Sequence, residues 1–421
     1  MSPMDLRQAL GGLLTLSMFI MLGNMIKKDH FDSINDIDIH PATPDSQQDS
    51  AAAIDQSLAT VSHLSKRPWQ QNGEELKPCW NTSPLKEAEQ SNGFIMFSLT
   101  NGPEYHISQI ADAVVVARYL GATLVLPDIK SSKSGYTMSL GDIYDVQNVL
   151  NRLGGLVRVT SAQPPQASNG NPPIVKVPNR VSEDYIVKKV KPIYKSKGIV
   201  KIESYFPSAN ATLMAGNKKN RDPVACQAMF GTLQLQSEIQ EVAEFMVQKL
   251  ENWSQDSNGP FIAVDLRTEG VEKECQRKDE TGKKLCYQGH EIGEFLNKIG
   301  FNQESVVYVT QTKWSTELDA LKAMFPKTYT KENVMAEAKK GKFLSSESSE
   351  FEKAIDYYIC SKSDIFVPST PGLFYANVVG MRIASGRNQT LVPGEITSAS
   401  AFDYVSPYVS QKSHFAYACF C

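Results

Sequence analysis

The 421-residue sequence has no basic stripe and no arginine-rich tract, and its 43 basic residues nearly balance its 46 acidic ones. Proteins that bind nucleic acid usually concentrate positive charge on one surface, so this balance argues against nucleic acid as a partner. No internal repeat or heptad pattern is present either, which excludes a repeat array or a coiled coil. The length is sufficient for two domains after the N-terminus is set aside.

Cysteines are few, and no CxxC pair or Cys/His set with zinc spacing occurs. No metal is therefore expected. Cys275 and Cys286 flank a charged loop, and a disulfide between them is plausible in an oxidising compartment. The sequence leaves the other pairings open. The seven cysteines are Cys79, Cys226, Cys275, Cys286, Cys360, Cys419 and Cys421.

The sequence has one long uncharged apolar run near the N-terminus, from Ala9 to Ile26, bounded by Arg7 and by Lys27-Lys28. As a helix it would span about 27 Å, which suits the thinner membranes of the early secretory route. A cleaved signal peptide is the main alternative, but no small-x-small cleavage motif follows the run. A buried core helix is a third reading, which the polar tract after it disfavours. We predict a transmembrane signal anchor at 9–26 after a cytoplasmic tail, 1–8.

Residues 27–92 are predicted to form a disordered lumenal stem, since Asp, Ser, Gln and Ala dominate without an apolar period. Asp36-Ile37-Asp38 falls here and is interpreted as solvated charge, not as a metal site. The numbers of basic residues on the two sides of the anchor are nearly equal, so they do not decide its orientation. Lumenal placement rests on the cysteines and on four glycosylation sequons, at Asn81, Asn210, Asn252 and Asn388.

Beyond the stem, buried strand patterns alternate with helical periods in two halves, 93–255 and 256–421. This alternation predicts an α/β fold with two Rossmann-like domains that face a cleft, with ligands at the carboxyl ends of the strands. The predicted strands are 94–99, 123–126, 261–264, 306–309 and 364–367, and the predicted helices are 106–120, 238–253, 291–299, 317–325, 350–360 and 373–384.

The first candidate loop, Asn101 to His106, follows a predicted strand and leads into a helix. Gly102 permits close backbone approach to a ligand, and the free N–H groups of the helix that begins near His106 point toward the loop. Gly102 and His106 are therefore predicted to contact substrate. Glu104 is a candidate general base for an acceptor hydroxyl. The alternative is a plain turn in which Glu104 only complements the helix N-terminus.

The second candidate loop follows the strand 261–264 and contains Asp265, Arg267 and Glu269, of which Asp265 and Arg267 are candidate catalytic residues. The planar guanidinium of Arg267 is suited to bind a diphosphate. Asp265 and Arg267 share one face of the strand, so a structural ion pair explains them equally well.

The third candidate loop is Ser369-Thr370-Pro371-Gly372, between a strand and a helix. Hydroxyls and backbone amides at a helix start can bind phosphate without a lysine or a metal, although this is not a Walker A loop. Asp364, at the start of the strand, either holds a ribose or base or caps a turn.

Three ordered motifs between Gly93 and Val392 resemble those of the plant O-fucosyltransferase-like family. The resemblance implies a GT-B fold and metal-independent inverting transfer from a nucleotide sugar, with a GDP-sugar favoured. Further motifs are similar to the plant mannan synthesis-related subgroup, which implies a single-pass type II Golgi protein supporting mannan or glucomannan synthesis. The family motifs are Gly93–Gly102 with Ala117–Pro127, Ile262–Glu269, and Ser363–Gly372 with Asn377–Arg382; the subgroup motifs are Met4–Gln8, Leu76–Trp80, Ser98–His106, Asp222–Cys226 and Cys419–Cys421.

The sequence departs from the family in two motifs. The first motif usually reads Gly-Gly-Leu-Asn-Gln, where this chain has Pro103 to His106, and the second usually reads His-Leu-Arg, where Asp265 replaces the histidine. Arg267 is retained, so phosphate binding is expected while a fucose donor is not assumed. Two hypotheses follow: an active glycosyltransferase that acts on a polysaccharide or oligosaccharide acceptor, or a catalytically silent partner of a cellulose synthase-like mannan synthase at the Golgi membrane.

Overall fold

The computed structural model describes residues 78–80, 93–131, 136–168, 171–206, 222–266, 286–345, 349–370, 372–387, 389–393 and 419–420. All of them belong to one compact unit, Lys66–Cys421, and the other unit, Met1–Ser65, lies outside them. The predicted tail, the anchor at 9–26 and Asp36 and Asp38 of the stem therefore lie outside the described residues. Among the helices that the structure does describe, none combines the length and apolarity that a membrane crossing requires.

The strands predicted from short apolar runs are present, joined by several that the sequence patterns did not reveal. In chain order the strands are β1 Phe94–Phe97, β2 Leu99–Thr100, β3 Thr123–Val125, β4 Ile129–Lys130, β5 Thr137–Met138, β6 Val159–Thr160, β7 Ile174–Pro178, β8 Ile199–Tyr205, β9 Phe261–Asp265, β10 Val306–Val309, β11 Thr328–Tyr329 and β12 Ile365–Pro368.

The predicted helices are also present, with ends that differ by a few residues. The helices are α1 Pro103–Leu120, α2 Val146–Gly154, α3 Pro165–Ser168, α4 Glu183–Tyr185, α5 Lys191–Lys197, α6 Pro223–Gly231, α7 Ser237–Asp256, α8 Gly289–Lys298, α9 Asp319–Met324, α10 Lys331–Val334, α11 Glu337–Phe343, α12 Ser349–Lys362 and α13 Leu373–Ala384. Short 3₁₀ helices cover Leu140–Asp142 and Thr316–Leu318, and a π-helical turn covers Ile186–Val190.

Two parallel sheets form the framework of the described residues. The first has the order β6-β3-β1-β8-β7, and the second has the order β11-β10-β9-β12. A small additional sheet pairs β2, β4 and β5. The predicted α/β class with parallel sheets is thereby confirmed.

The strands of the second sheet are buried on both faces, which explains their continuous apolar sequences. Phe261 and Ala263 of β9 face one apolar cluster, which also contains Leu124 of the first sheet. Ile262 and Val264, which alternate with them, face a second cluster. The first cluster is therefore a core shared by the two predicted domains.

Helix α1 connects the first sheet to the second half of the chain. It begins at Pro103 after Gly102 and ends at Gly121, whose left-handed φ of 64° is the C-cap geometry predicted for that glycine. Ala113, Val114, Val116 and Ala117 of α1 are fully buried, and the helix packs against α6, α12 and α13. The loop at its N-terminus is consequently held from the second half of the chain.

Residues 78–80, predicted to be part of a disordered stem, are packed against the other end of the chain. Pro78 pairs with Phe420 in a β-bridge, and the Trp80 ring lies 5.3 Å from the Phe420 ring. Cys226 of α6 forms a disulfide with Cys419. The apolar Trp80 ring and this covalent anchor hold residues 78–80 against the folded unit, which the composition of this region did not predict.

Cys79 and Cys286 each take part in a disulfide as well. Cys275 lies outside the described residues, so the predicted pairing of Cys275 with Cys286 stays a prediction. Cys360 is a buried free thiol in helix α12.

Candidate active site

The first candidate loop has a backbone that requires glycine. Asn101 and Gly102 have φ values of 71° and 107°. A Cβ atom on Gly102 would lie 2.8 Å from Cδ of Lys353 and 2.9 Å from Oε2 of Glu104. Both the conformation and the close packing therefore exclude a larger residue here.

The loop is held by helix α12 of the second half. Nζ of Lys353 donates a hydrogen bond of 3.1 Å to the carbonyl oxygen of Asn101. The same ammonium group lies 3.9 Å from Oε1 of the buried Glu350. A lysine that the sequence patterns did not single out thus fixes the position of the predicted ligand loop.

Helix α13 contacts the same loop through a fully buried amide. Nδ2 of Asn377 donates to the carbonyl oxygen of Glu104 at 2.7 Å and to Oγ of Ser108 at 3.4 Å. Helix α1 begins after Gly102 and helix α13 begins after Gly372. The second turn of α13, which follows the third candidate loop, therefore contacts the first turn of α1, which includes part of the first candidate loop.

The Glu104 side chain points into the protein and is only 5% exposed. Burial raises the pKa values of Tyr144 and Tyr357 well above the usual range, and the nearby charge of Glu104 adds to both effects. Glu104 thus belongs to a buried polar cluster behind the loop. This position suits a residue that supports the loop better than a base that contacts an acceptor.

His106 belongs to the same cluster and is fully buried. Its Nδ1 lies 2.9 Å from the hydroxyl of Tyr144. Burial, aided by the positive charge of Lys353, lowers the pKa of His106 to about 3. The imidazole is therefore neutral at physiological pH and supports the loop, a correction to its predicted contact with substrate.

Asp265 ends strand β9 and is hydrogen-bonded to a buried polar network. Its Oδ1 accepts a hydrogen bond of 3.0 Å from Oγ1 of Thr310, and the carbonyl of Thr310 accepts one of 2.9 Å from Nζ of Lys331. Lys331 is paired with Asp356 at 2.6 Å, and Asp356 also accepts a hydrogen bond from Tyr308. These paired groups fix the end of strand β9, since a buried polar network is stable only when its members are satisfied.

The second and third loops meet through the backbone of Asp265. Asp265 and Pro368 are register partners in β9 and β12, and both the amide and the hydroxyl of Ser369 donate to the Asp265 carbonyl, at 3.1 and 2.6 Å. The Ser369 hydroxyl is therefore used inside the protein. Thr370 is half-buried and Gly372 is exposed at the start of α13. These two residues are the accessible part of the predicted phosphate cradle.

Three further predicted residues are not described at this edge. Arg267 and Glu269 lie outside the described residues. Asp364 lies at the amino end of β12, the opposite edge from Ser369, where its Oδ2 accepts a hydrogen bond of 3.0 Å from the amide of Phe261. This position favours the structural alternative for Asp364 over contact with a ribose or base, because a residue before a parallel strand cannot reach the carboxyl edge.

The only sequon whose asparagine the structure describes does not resemble a glycosylation site. Asn252 is exposed within helix α7, not in a loop, and the buried Ser254 donates its hydroxyl to the carbonyl of Gly259. Glycosylation at Asn252 is therefore not expected. Asn81, Asn210 and Asn388 lie outside the described residues.

The fold and these contacts define an α/β protein whose candidate site lies at the carboxyl edge of a parallel sheet, beside two helix N-termini. The family model described as GDP-fucose protein O-fucosyltransferase matches residues 94–384. The chain therefore belongs to this O-fucosyltransferase family and is a glycosyltransferase of that type.

Three individual proteins illustrate the similarity. The protein MANNAN SYNTHESIS-RELATED of Trigonella foenum-graecum is 64% identical over 425 residues, which cover 100% of both chains. MANNAN SYNTHESIS-RELATED 1 of Arabidopsis thaliana is 49% identical over 420 residues, 99% of each. The solved fucosyltransferase NodZ from Bradyrhizobium shows a weaker likeness, with a TM-score of 0.42, 13% identity and coverage of 73% of this chain and 96% of that one. The predicted family and subgroup are confirmed.

Proposed function

We propose that this chain is a Golgi glycosyltransferase of mannan or glucomannan biosynthesis. It transfers a sugar, with inversion and without a metal ion, from a nucleotide-sugar donor to a polysaccharide or oligosaccharide acceptor. The names of its relatives support mannan, and the family description supports a GDP-sugar. The two parallel sheets fit the two Rossmann-like halves of a GT-B enzyme.

The single observation that carries the proposal is the open N-terminus of α13. Ser369 is fixed on the Asp265 backbone, so Thr370 and the exposed Gly372 present the start of a 12-residue helix at the sheet edge. Amides at such a terminus favour a bound phosphate. Arg267 follows β9 by two residues in the sequence and supplies the second positive group of the proposal.

The chemistry follows from where charge develops. As the bond between the sugar and the diphosphate breaks, negative charge grows on the leaving diphosphate. The α13 amides, the Thr370 hydroxyl and the Arg267 guanidinium stabilise that charge, and each fixed donor contributes about 3–4 kcal/mol by analogy with oxyanion holes. Both predicted catalytic carboxylates, Glu104 and Asp265, are buried, so the proposal assigns them to loop positioning.

The proposed location is the Golgi membrane, with a single type II anchor and the main body in the lumen. Cys226 and Cys419 are joined, and Cys79 and Cys286 are also oxidised. Disulfides persist in secretory compartments and are rare in the cytosol. They therefore support the lumenal placement.

The experiment is a thermal-shift panel of nucleotide sugars on the purified full-length chain, followed by transfer assays with the donor that binds. A ligand at a hundred times its dissociation constant adds about 2.7 kcal/mol to the free energy of unfolding. We expect stabilisation by one GDP-sugar and a roughly hundredfold loss of turnover in Arg267→Ala. Unchanged turnover in that variant would remove Arg267 from the mechanism.

The second candidate function is a silent scaffold for a cellulose synthase-like mannan synthase. It is favoured by the burial of Glu104 and Asp265, which stand where the family carries other residues. An Arg267→Ala/Thr370→Val double variant, introduced into a plant deficient in this protein, separates the two functions. Restored mannan favours the scaffold, and failure of an equally abundant variant to restore it favours the enzyme.

A further inference from the structure

A cavity of about 920 Å³ lies along helix α1, away from the edge at Asp265 and Gly372. Its walls are α1, the segment that leads from β7 into α4, and the start of α6. Asp265, Ser369, Thr370 and Gly372 are not among the described residues that line it. The cavity is therefore separate from the proposed donor site.

The floor of the cavity is rigid because it is built on a buried carboxylate. Asp112 of α1 accepts hydrogen bonds from Oγ of Ser204 at 2.8 Å and from the amides of Arg180 and Val181 at 2.8 and 3.3 Å. The Asn179 side chain adds a contact of 3.4 Å. These bonds hold Arg180 at a φ of 63°, so the turn that carries two lining side chains is fixed before any ligand arrives.

The lining favours a neutral polar ligand. The lining includes three acidic residues, Asp112, Glu183 and Asp222, and two basic ones, Arg118 and Arg180, so it has charges of both signs and no excess of positive charge. A nucleotide diphosphate would require an excess of positive charge. A cavity with donors and acceptors of both signs instead suits a molecule rich in hydroxyl groups.

Tyr119, at the far end of α1, adds an aromatic surface. Its side chain is 36% exposed, with Nζ of Lys191 5.5 Å from the ring centroid. A partly exposed tyrosine offers a flat apolar face together with a hydroxyl. Sugars combine an apolar ring face with hydroxyls that donate and accept, so the cavity has the chemical complement of a carbohydrate.

The near end of the cavity is linked to the candidate active site. Ser108 lines the cavity, and its hydroxyl accepts from the Asn377 amide that also holds the Glu104 carbonyl. Along α1, Ser108 lies about 9 Å and Tyr119 about 25 Å from Gly102, at 1.5 Å per residue. A ligand extending from the active site along α1 would pass from Ser108 toward Tyr119.

We propose that this cavity binds the neutral glycan chain of the acceptor at several sugar units from the reacting end. The proposal rests on the proposed function and adds a consequence: long acceptors bind more tightly than short ones. The site thereby selects a growing polysaccharide over a free monosaccharide or disaccharide.

The test is titration calorimetry of mannobiose and mannohexaose on the full-length chain. We expect mannohexaose to bind more tightly than mannobiose, and Tyr119→Ala to weaken mannohexaose binding roughly five- to tenfold, as expected for loss of an aromatic contact. Tyr119→Phe keeps the ring and should bind within about twofold of wild type. Tyr136→Ala is the matched control, because Tyr136 is 56% exposed and does not line the cavity.

The donor site is read separately by titration with GDP, which Tyr119→Ala should leave unchanged. Equal affinity of both oligosaccharides, no mannohexaose binding by the wild type, or an equal loss in Tyr136→Ala overturns the acceptor site while GDP binding still reports on the donor. If the wild type binds mannohexaose but does not bind GDP, the result contradicts the proposed enzyme and leaves the glycan site standing.

Discussion

The two loops where helices begin after a glycine, at Gly102 and at Gly372, have opposite characters. The first is braced by Lys353 and Asn377 and encloses the buried Glu104 and His106. The second leaves Gly372 exposed and Thr370 half-buried, and its Ser369 is hydrogen-bonded to the Asp265 carbonyl of the sheet. The braced loop therefore sets geometry, and the open loop is the place where a ligand can meet protein.

The largest expected effect is on the buried polar network that ends at Asp265, whose carbonyl holds Ser369 of the open loop. Lys331→Met leaves Asp356 charged and buried without its partner, which should lower the free energy of unfolding by about 3–5 kcal/mol. Urea denaturation measures the loss. Lys327→Met is the control: its pair with Glu304 at 2.5 Å is largely exposed and should be worth less than about 1 kcal/mol. Equal losses in the two variants would show that the network does not brace the loop.

The next prediction concerns the pH dependence of stability, through the buried Asp112 at the floor of the cavity along helix α1. Burial raises the pKa of Asp112 from 3.8 to about 6, against the hydrogen bonds of Ser204 and the Val181 and Arg180 amides, which lower it. The native state thus holds this proton more tightly than the unfolded state. Its contribution to stability is fully present below about pH 4 and is lost as the pH rises through about 6, by about 3 kcal/mol at most.

Asp112→Asn cannot titrate, so its free energy of unfolding relative to wild type should increase between pH 4 and pH 6. Chemical denaturation of both proteins at several pH values tests this. A constant difference between them would mean that Asp112 keeps an ordinary pKa in the folded protein.

A smaller effect is expected from the braced loop itself. Gly102→Ala forces a side chain into a φ of 107° and against Lys353, which should cost about 1–3 kcal/mol and reduce turnover. Gly154→Ala is the control, because Gly154 ends helix α2 with open space around it and alanine favours the helix. Thermal unfolding of both variants, compared with wild type, gives the result. A stable Gly102→Ala protein would show that the loop is not fixed by packing.

Much of the framework follows from sequence because its signals are local. Continuous apolar runs such as Phe261 to Val264 identify strands buried on both faces, and the helical period of α1 is visible over a single stretch of chain. The carboxyl-edge loops were found in the same way. The two alternatives for Asp364 could also be separated from sequence, since a residue that precedes a strand must lie at the other edge.

The braces were not accessible in this way. Lys353 and Asn101 are 252 residues apart, and Asn377 and Glu104 are 273 apart, so no local period links them. A single lysine on an amphipathic helix also has the pattern of a solvated residue. The burial of Glu104 and His106 was missed for the same reason, because their surroundings come from Tyr144, α12 and α13 and not from their own loop.

We propose that a diphosphate binds at the open start of α13, with Arg267 as the second positive group. Titration of GDP onto the wild type, Arg267→Ala, Thr370→Val and Arg387→Ala tests it most directly. Arg387 lies 3.9 Å from Asp364 at the opposite edge of the sheet and serves as the matched arginine control. We expect the affinity for GDP to fall at least about tenfold in Arg267→Ala, to be weakened in Thr370→Val and to stay unchanged in Arg387→Ala. Equal affinity in all four proteins, or a loss confined to Arg387→Ala, would contradict it.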